Sequence, residues 1–365
     1  MTGPPKRVAP SQMSTNNESR PGARADEEAS LHAKAQNPAA KSAEVPQPPC
    51  HPFDAAAYGG QGWSRRTSPL ADELGEIWLA CGIDSEWNTL EAVMLHRPGD
   101  ELAASHDPNA VQMLAPLDVG PAQAEFDTMT AALEASGVEV HPVAPDDAPL
   151  PNQMFCADLF VMTREGAILG RPASTVRAGE ERQVARRLAA LGVPIIRSIS
   201  GAGTFEGADL MWLDTRTAVI GRGLRTNDTG IRQVERILKD MDVELVIVDM
   251  SPGTMHLMGV LRIADRDLAV VWPGRTPPAA VEALETRGYE IIALPDADPF
   301  DMNRAMNFVT LGPRRVLMAD GYPRVRSAFE SRGVECLSAT VDELSKAAGG
   351  FGCLTGVLRR APCTA

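Results

Sequence analysis

The chain has 365 residues, 44% of them hydrophobic, with 35 basic against 48 acidic side chains, a formal net charge of −13. That is ample chain for a large buried core, as one big domain or two ordinary ones. Residues 1–60 carry six charges of each sign, so the acidic excess belongs to the remainder, which disfavours nucleic acid and anionic membranes and mildly favours cationic small molecules.

The first 65 residues are rich in Pro, Ala, Ser and Asn and poor in large aliphatic side chains. They cannot bury enough surface to offset ordering entropy, and 1–65 is read as a disordered tail. No 18-residue apolar run and no charged-apolar-small leader pattern is found, so a cytoplasmic protein with no membrane partner is expected. Residues 66–86 read as a helical lead-in, because Leu74, Ile77, Trp78 and Cys81 fall at i, i+3, i+4 and i+7.

From Trp87 to about residue 360 one unit recurs five times: an apolar strand, a tight turn, a second strand, a break, a helix and a third strand. The third strands begin at Val138, Val193, Val243, Tyr289 and Val334, which are 55, 50, 46 and 45 residues apart by subtraction. A period in that range marks a repeat architecture. Each unit is too small to close a core alone, and five arranged radially would do so. The predicted class is therefore α/β, a five-bladed α/β propeller of ββαβ repeats forming a single domain over 87–360. A doubly wound parallel sheet is the rival, but no Gly-x-Gly-x-x-Gly follows a strand.

Polar residues stand at or just before the first strand of successive units: Asp158, Glu206 with Asp209, His256, Asn307 and Cys353. The gaps from Asp158 through Glu206, His256 and Asn307 to Cys353 are 48, 50, 51 and 46, matching the repeat. Radial repeats would bring these positions to one pocket. Cysteine with histidine is the pair nucleophilic catalysis needs: the thiolate attacks, and the imidazole protonates the leaving group and later activates water. Two carboxylates beside them would repel an anionic substrate and keep the thiol protonated unless a cation binds. A planar cation such as a guanidinium or amidinium satisfies both conditions.

Arg177 and Arg225 each lie 19 residues after their unit's acid, Asp158 or Glu206, and could clamp a substrate carboxylate; surface positions are the alternative. Cys353 after Gly349-Gly350-Phe351-Gly352, where glycines permit close approach and unusual angles, could equally be a small core residue. His256 taken alone could be a satisfied core histidine, and Asp209 could cap a glycine turn. Six scattered cysteines with no CxxC pair argue against a disulfide framework or a thiolate zinc site. No His–carboxylate spacing suggests a metal either, and neither metal nor cofactor is expected.

Glu86-Trp87-Asn88-Thr89-Leu90, Leu95-His96-Arg97-Pro98-Gly99, Phe155 to Phe160, Phe205-Glu206-Gly207-Ala208-Asp209, Arg225-Thr226-Asn227 and Gly352-Cys353 together resemble the guanidino-group modifying (pentein) superfamily. Its members include dimethylarginine dimethylaminohydrolase, arginine deiminase and the amidinotransferases. The resemblance implies Cys353 as nucleophile, His256 as general acid/base, and Asp158 and Glu206 as the carboxylates gripping a guanidinium. The expected catalytic set is thus Cys353, His256 and Glu206, and the expected substrate contacts are Asp158, Arg177, Arg225 and Asp209.

Met258 stands where deiminases and amidinotransferases usually carry the aspartate of His-x-Asp, which favours the dimethylargininase branch. Ala157, Ala208 and Ala348 are further departures from the family patterns. The resulting expectation is a cysteine-dependent hydrolase of arginine or an Nω-substituted arginine, a monomer or homodimer. An amidinotransferase, or a non-catalytic guanidinium-binding protein, is the alternative.

Overall fold

The computed structural model describes residues 51–363 except 104, 106 and 295–298, so the expected tail lies outside the described residues as far as position 50. The chain divides at Thr67 and Ser68 into two units. In the first, the 3-10 turns Pro52–Asp54 and Ala56–Tyr58 and a bridge between Ala55 and Gln61 fall within the stretch read as a tail.

The second unit carries everything that follows. Its lead-in is not the helix the spacing predicts. Only Leu70–Glu73 forms a 3-10 turn, and Leu74 then bridges to Trp78 while Ile77 is exposed. Gly75 at φ +89 breaks any helix there.

Strand β1 (Leu90–Leu95) leads through a helix, Val119–Ala135, to β2 (Glu139–Pro142). Next come β3 (Phe160–Thr163), β4 (Gly166–Leu169), helix Glu180–Leu191 and β5 (Ile195–Ser198). The pattern repeats with β6 (Leu210–Asp214), β7 (Thr217–Arg222), helix Asp228–Asp240 and β8 (Glu244–Asp249). It repeats again with β9 (Leu261–Asp265), β10 (Leu268–Val271), helix Pro278–Thr286 and β11 (Glu290–Ala293). Then follow β12 (Val309–Gly312), β13 (Arg315–Ala319), helix Pro323–Glu330 and β14 (Glu335–Ala339), and β15 (Gly356–Arg360) ends the fold.

These strands make five three-stranded sheets. In four of them the first two strands form an antiparallel hairpin, and the third pairs parallel to the second across a helical crossover, as parallel pairing requires. The fifth sheet is assembled from both ends of the unit: β15 pairs antiparallel with β1, and β2 parallel with β1.

Burial grades across each sheet. The central strands β4 and β10 are buried at every position, whereas the outer strands β5 and β11 are half exposed. Runs such as Leu268-Ala269-Val270-Val271 are therefore continuous apolar strands with no polar alternation. No described helix is long and apolar enough to cross a membrane.

A short helical turn precedes the first strand of every sheet except the one begun by β1, and in that sheet it precedes β15. These turns are Cys156–Leu159, Gly207–Asp209, Leu257–Gly259, Pro299–Met306 and Phe351–Leu354. Each carries or abuts one of the polar residues picked out by the repeat spacing.

Candidate active site

Cys353 does not open a strand, as its apolar successors suggest. It sits in the single turn Phe351–Leu354, ahead of β15. The glycines around it serve close approach and not unusual dihedrals. A Cβ on Gly349 would lie 2.3 Å from Phe155 Cε1, one on Gly350 2.9 Å from Asn307 Cβ, and one on Gly356 2.6 Å from Phe160 Cε1. The left-handed conformation falls on a non-glycine, Ala348, at φ +68.

Asn307 fastens the turn on both sides. Its Nδ2 donates to Cys353 Sγ at 3.1 Å, and its Oδ1 accepts from the Cys353 backbone N at 3.0 Å. Burial, and after it the Asp158 charge, raises the thiol's pKa, while Asn307, the Gly350 backbone and Arg262 pull it down.

The turns ahead of β3, β6 and β9 bring Asp158, Glu206 and His256 together, all buried. His256 Nε2 lies 2.6 Å from Glu206 Oε2 and 3.8 Å from Asp158 Oδ1. Burial alone would lower the imidazole's pKa, but Asp158 and the hydrogen bond to Glu206 outweigh it and raise the pKa to about 9. His256 is therefore an imidazolium at neutral pH. Burial likewise opposes ionisation of Glu206, yet His256, Arg177 and Arg225 hold it ionised, below the ordinary carboxylate range.

Arg177 and Arg225, expected as a carboxylate clamp, border the smaller cavity and lie against the site's own acids. Arg177 Nη1 donates to Asp158 Oδ2 at 2.6 Å and Glu206 Oε2 at 3.4 Å, its Nη2 lies 2.8 Å from Glu180 Oε2, and its guanidinium stands 5.8 Å over the Phe155 ring. Arg225 Nη1 reaches Glu206 Oε2 at 3.3 Å. Carboxylates this deeply buried require cationic partners, which the spacing argument did not count.

Asp209, expected as a substrate contact, is not among the residues bordering the two cavities at Cys353. It accepts from Thr226 Oγ1 at 2.7 Å and from the Leu257 backbone N at 3.0 Å, holding the turn that follows His256, and burial pushes its carboxyl up to about 6. His96, from the Leu95–Gly99 motif, is buried against Glu101 at 3.1 Å.

Asp158, Glu206 and His256 bring ligand atoms within 4.8 Å of one another, a triad that could hold a metal and that the spacing did not reveal. Arg177 already contacts both carboxylates. The five described cysteines are all free.

Two connected spaces meet at the thiol. A cavity of about 20 Å³ is bordered by Phe155, Asp158, Arg177 and Arg225, and one of about 250 Å³ by Met258, Val260, Trp272 and Asn303. His256, Cys353, Met255 and Ala348 line both. Sequence reasoning assigned no role to Asn307 although the repeat spacing marks it, and it missed Glu180, whose place at the start of a helix reads as an ordinary first-turn acid.

The sequence profile of the family described as N,N dimethylarginine dimethylhydrolase, eukaryotic, matches residues 119–359. The chain is 29% identical over 243 residues to an N(G),N(G)-dimethylarginine dimethylaminohydrolase of Streptomyces coelicolor, covering 67% of this chain and 88% of that one. In fold it is similar to the dimethylarginine dimethylaminohydrolase of Pseudomonas aeruginosa solved with citrulline, at a TM-score of 0.62 and 23% identity over 75% of this chain and all of that one. It is similar also to an amidinotransferase of saxitoxin biosynthesis from Microseira wollei, at a TM-score of 0.61 and 17% identity over 77% of this chain and 97% of that one.

Proposed function

Because the chain belongs to the dimethylarginine dimethylhydrolase family, we propose that it hydrolyses a guanidino C–N bond of arginine or an Nω-substituted arginine, with Cys353 as nucleophile. The products are a ureido compound such as citrulline and ammonia or an amine. The five sheets are read as blades of a pentein-type α/β propeller. The observation that carries the reading is the meeting of a thiol, an imidazolium and the Asp158 carboxylate at one cavity wall, with Glu206 buried against the imidazolium.

Asp158 Oδ1 is buried without a hydrogen-bond partner and borders the smaller cavity, so it can accept an N–H of an entering guanidinium. The added positive charge lowers the thiol's pKa, and the thiol proton leaves to solvent. Cys353 Sγ then bonds to the guanidinium carbon. As the bond to the departing nitrogen breaks, His256 gives that nitrogen its proton, leaving a thiouronium on Cys353. Neutral His256 next takes a proton from water, the water oxygen bonds to the carbon, the C–S bond breaks and the ureido product departs after giving up a proton. Glu206 keeps the imidazole oriented and stabilises its charged form.

Purified chain is assayed for ureido product with arginine, dimethylarginine, agmatine and guanidinoacetate, alongside Cys353→Ser. Product from at least one substrate, absent in the variant, is the expected result. A new guanidino product that forms only when an acceptor amine is added would replace hydrolysis by amidino transfer. Silence throughout would overturn the reading.

A further inference from the structure

The larger cavity is more than a bare guanidinium requires. It shares Met255, His256, Ala348 and Cys353 with the space bordered by Asp158, Arg177 and Arg225, and the rest of its lining is separate. Its walls are largely apolar, with Met255, Met258, Val260 and Trp272, and the Arg275 guanidinium lies 5.0 Å over the Trp272 ring. Thr254 Oγ1, on the same wall, is buried without a hydrogen-bond partner. Its volume is about 250 Å³, while a protein cavity of about 150 Å³ accepts benzene.

Resting on the hydrolase reading, we infer that this lobe receives the departing nitrogen's substituent, and that the preferred substrate carries an apolar group of ring size there. With the attacked carbon at the junction beside Cys353, two nitrogens of the guanidinium point into different spaces. The nitrogen bearing the amino-acid limb faces the smaller space, whose Gln112, Arg225, Met255 and Ala348 also line a wider space of about 580 Å³ that takes the limb. The other nitrogen faces the lobe, so the bond that breaks is the one to the substituted nitrogen. His256 lines both spaces and supplies that nitrogen's proton, the amine leaves through the lobe, and water completes the ureido product as above.

Methyl groups would leave most of such a lobe unfilled, whereas a benzyl group would exchange water for Met, Val and Trp side chains. Met258 is the residue this assigns to specificity: an aspartate in its place would charge the lobe wall and penalise an apolar limb.

The test compares kcat/KM for arginine, Nω,Nω-dimethylarginine and Nω-benzylarginine, in the native chain and in Met258→Trp, which narrows the lobe. Calorimetric binding of arginine and Nω-benzylarginine to Cys353→Ser reads the lobe without turnover. The native chain is expected to prefer the benzyl substrate over the dimethyl one by about tenfold or more. Cys353→Ser should bind it at least about tenfold more tightly than arginine, and Met258→Trp should lower the benzyl-to-arginine ratio by a similar factor. Turnover of arginine or dimethylarginine with benzyl binding no tighter than arginine would overturn the lobe and leave the hydrolase standing. Tight benzyl binding with no cleavage of any substrate would uphold the lobe and overturn the hydrolase. Weak benzyl binding with no cleavage would remove both.

Discussion

The two walls that meet at the site are built by opposite means. On the carboxylate side, Asp158, Glu206, Glu180 and His256 are buried and held by charge, with Arg177 touching three carboxylates. On the thiol side the backbone is held by close approach, with Arg262 the buried cation behind the turn: Gly349, Gly350 and Gly356 let backbone sit against Phe155, Asn307 and Phe160, and one amide fixes the cysteine. A wall held by charge breaks when a partner is removed and a buried charge is stranded. A wall held by close approach breaks when a methyl group is added.

The comparison is sharpest at the reacting atom. Cys353→Ala is expected to abolish ureido product formation by about 10⁴-fold or more while leaving Tm close to the parent's, since the loop is positioned by its glycines and not by sulfur. A large fall in Tm would show that the thiol is structural.

Across the cavity, His256→Gln should lower kcat by about 10²- to 10⁴-fold. In the native chain, kcat/KM should fall as pH rises past about 9, where His256 loses the proton it donates. The same shift has a stability consequence. The folded-state value is raised above the ordinary 6.5, so the contribution of the His256 pairing is fully present below about 6.5 and is lost as pH climbs through about 9. Denaturant midpoints at pH 6 and pH 10, compared between the native chain and His256→Gln, isolate that contribution. Equal pH dependence in the two would refute the assignment.

Arg177→Ala leaves Asp158, Glu180 and Glu206 without their shared cation, and should cost about 3–5 kcal/mol in urea unfolding, as removal of one buried partner does. A loss confined to KM, with stability unchanged, would instead make Arg177 the free clamp that sequence spacing suggests.

Periodicity made the repeat and the convergence legible, because a residue ahead of each unit's first strand is one place in five copies. Asp158, Glu206, His256, Asn307 and Cys353 follow from that alone. The period says where a residue stands and nothing of what its side chain meets, so it leaves Arg177 and Arg225 open between clamp and surface, and Asp209 open between substrate contact and turn cap. Glu180 was invisible because its role depends on a partner three residues before it on a 3-10 turn, Arg177 on Thr175–Arg177. The lead-in misleads because four apolar positions at helical spacing count for less than Gly75, which falls between the first of them, Leu74, and the second, Ile77.

The smallest expected effects lie in two adjacent residues and separate space from dihedral strain. Gly349→Ala places a Cβ 2.3 Å from the Phe155 ring, a contact that requires movement, and should cost about 1–3 kcal/mol. Ala348 is the reverse case. At φ +68 its Cβ strains the backbone in a region glycine enters freely, so Ala348→Gly should raise stability by about 1 kcal/mol even though glycine loses more entropy on folding. Thermal unfolding of the two variants should therefore move Tm in opposite directions. If Ala348→Gly lowers Tm instead, the alanine methyl contributes packing beside Cys353 that exceeds its backbone strain, and the thiol wall is held by contact at Ala348 as well as by close approach at its glycines.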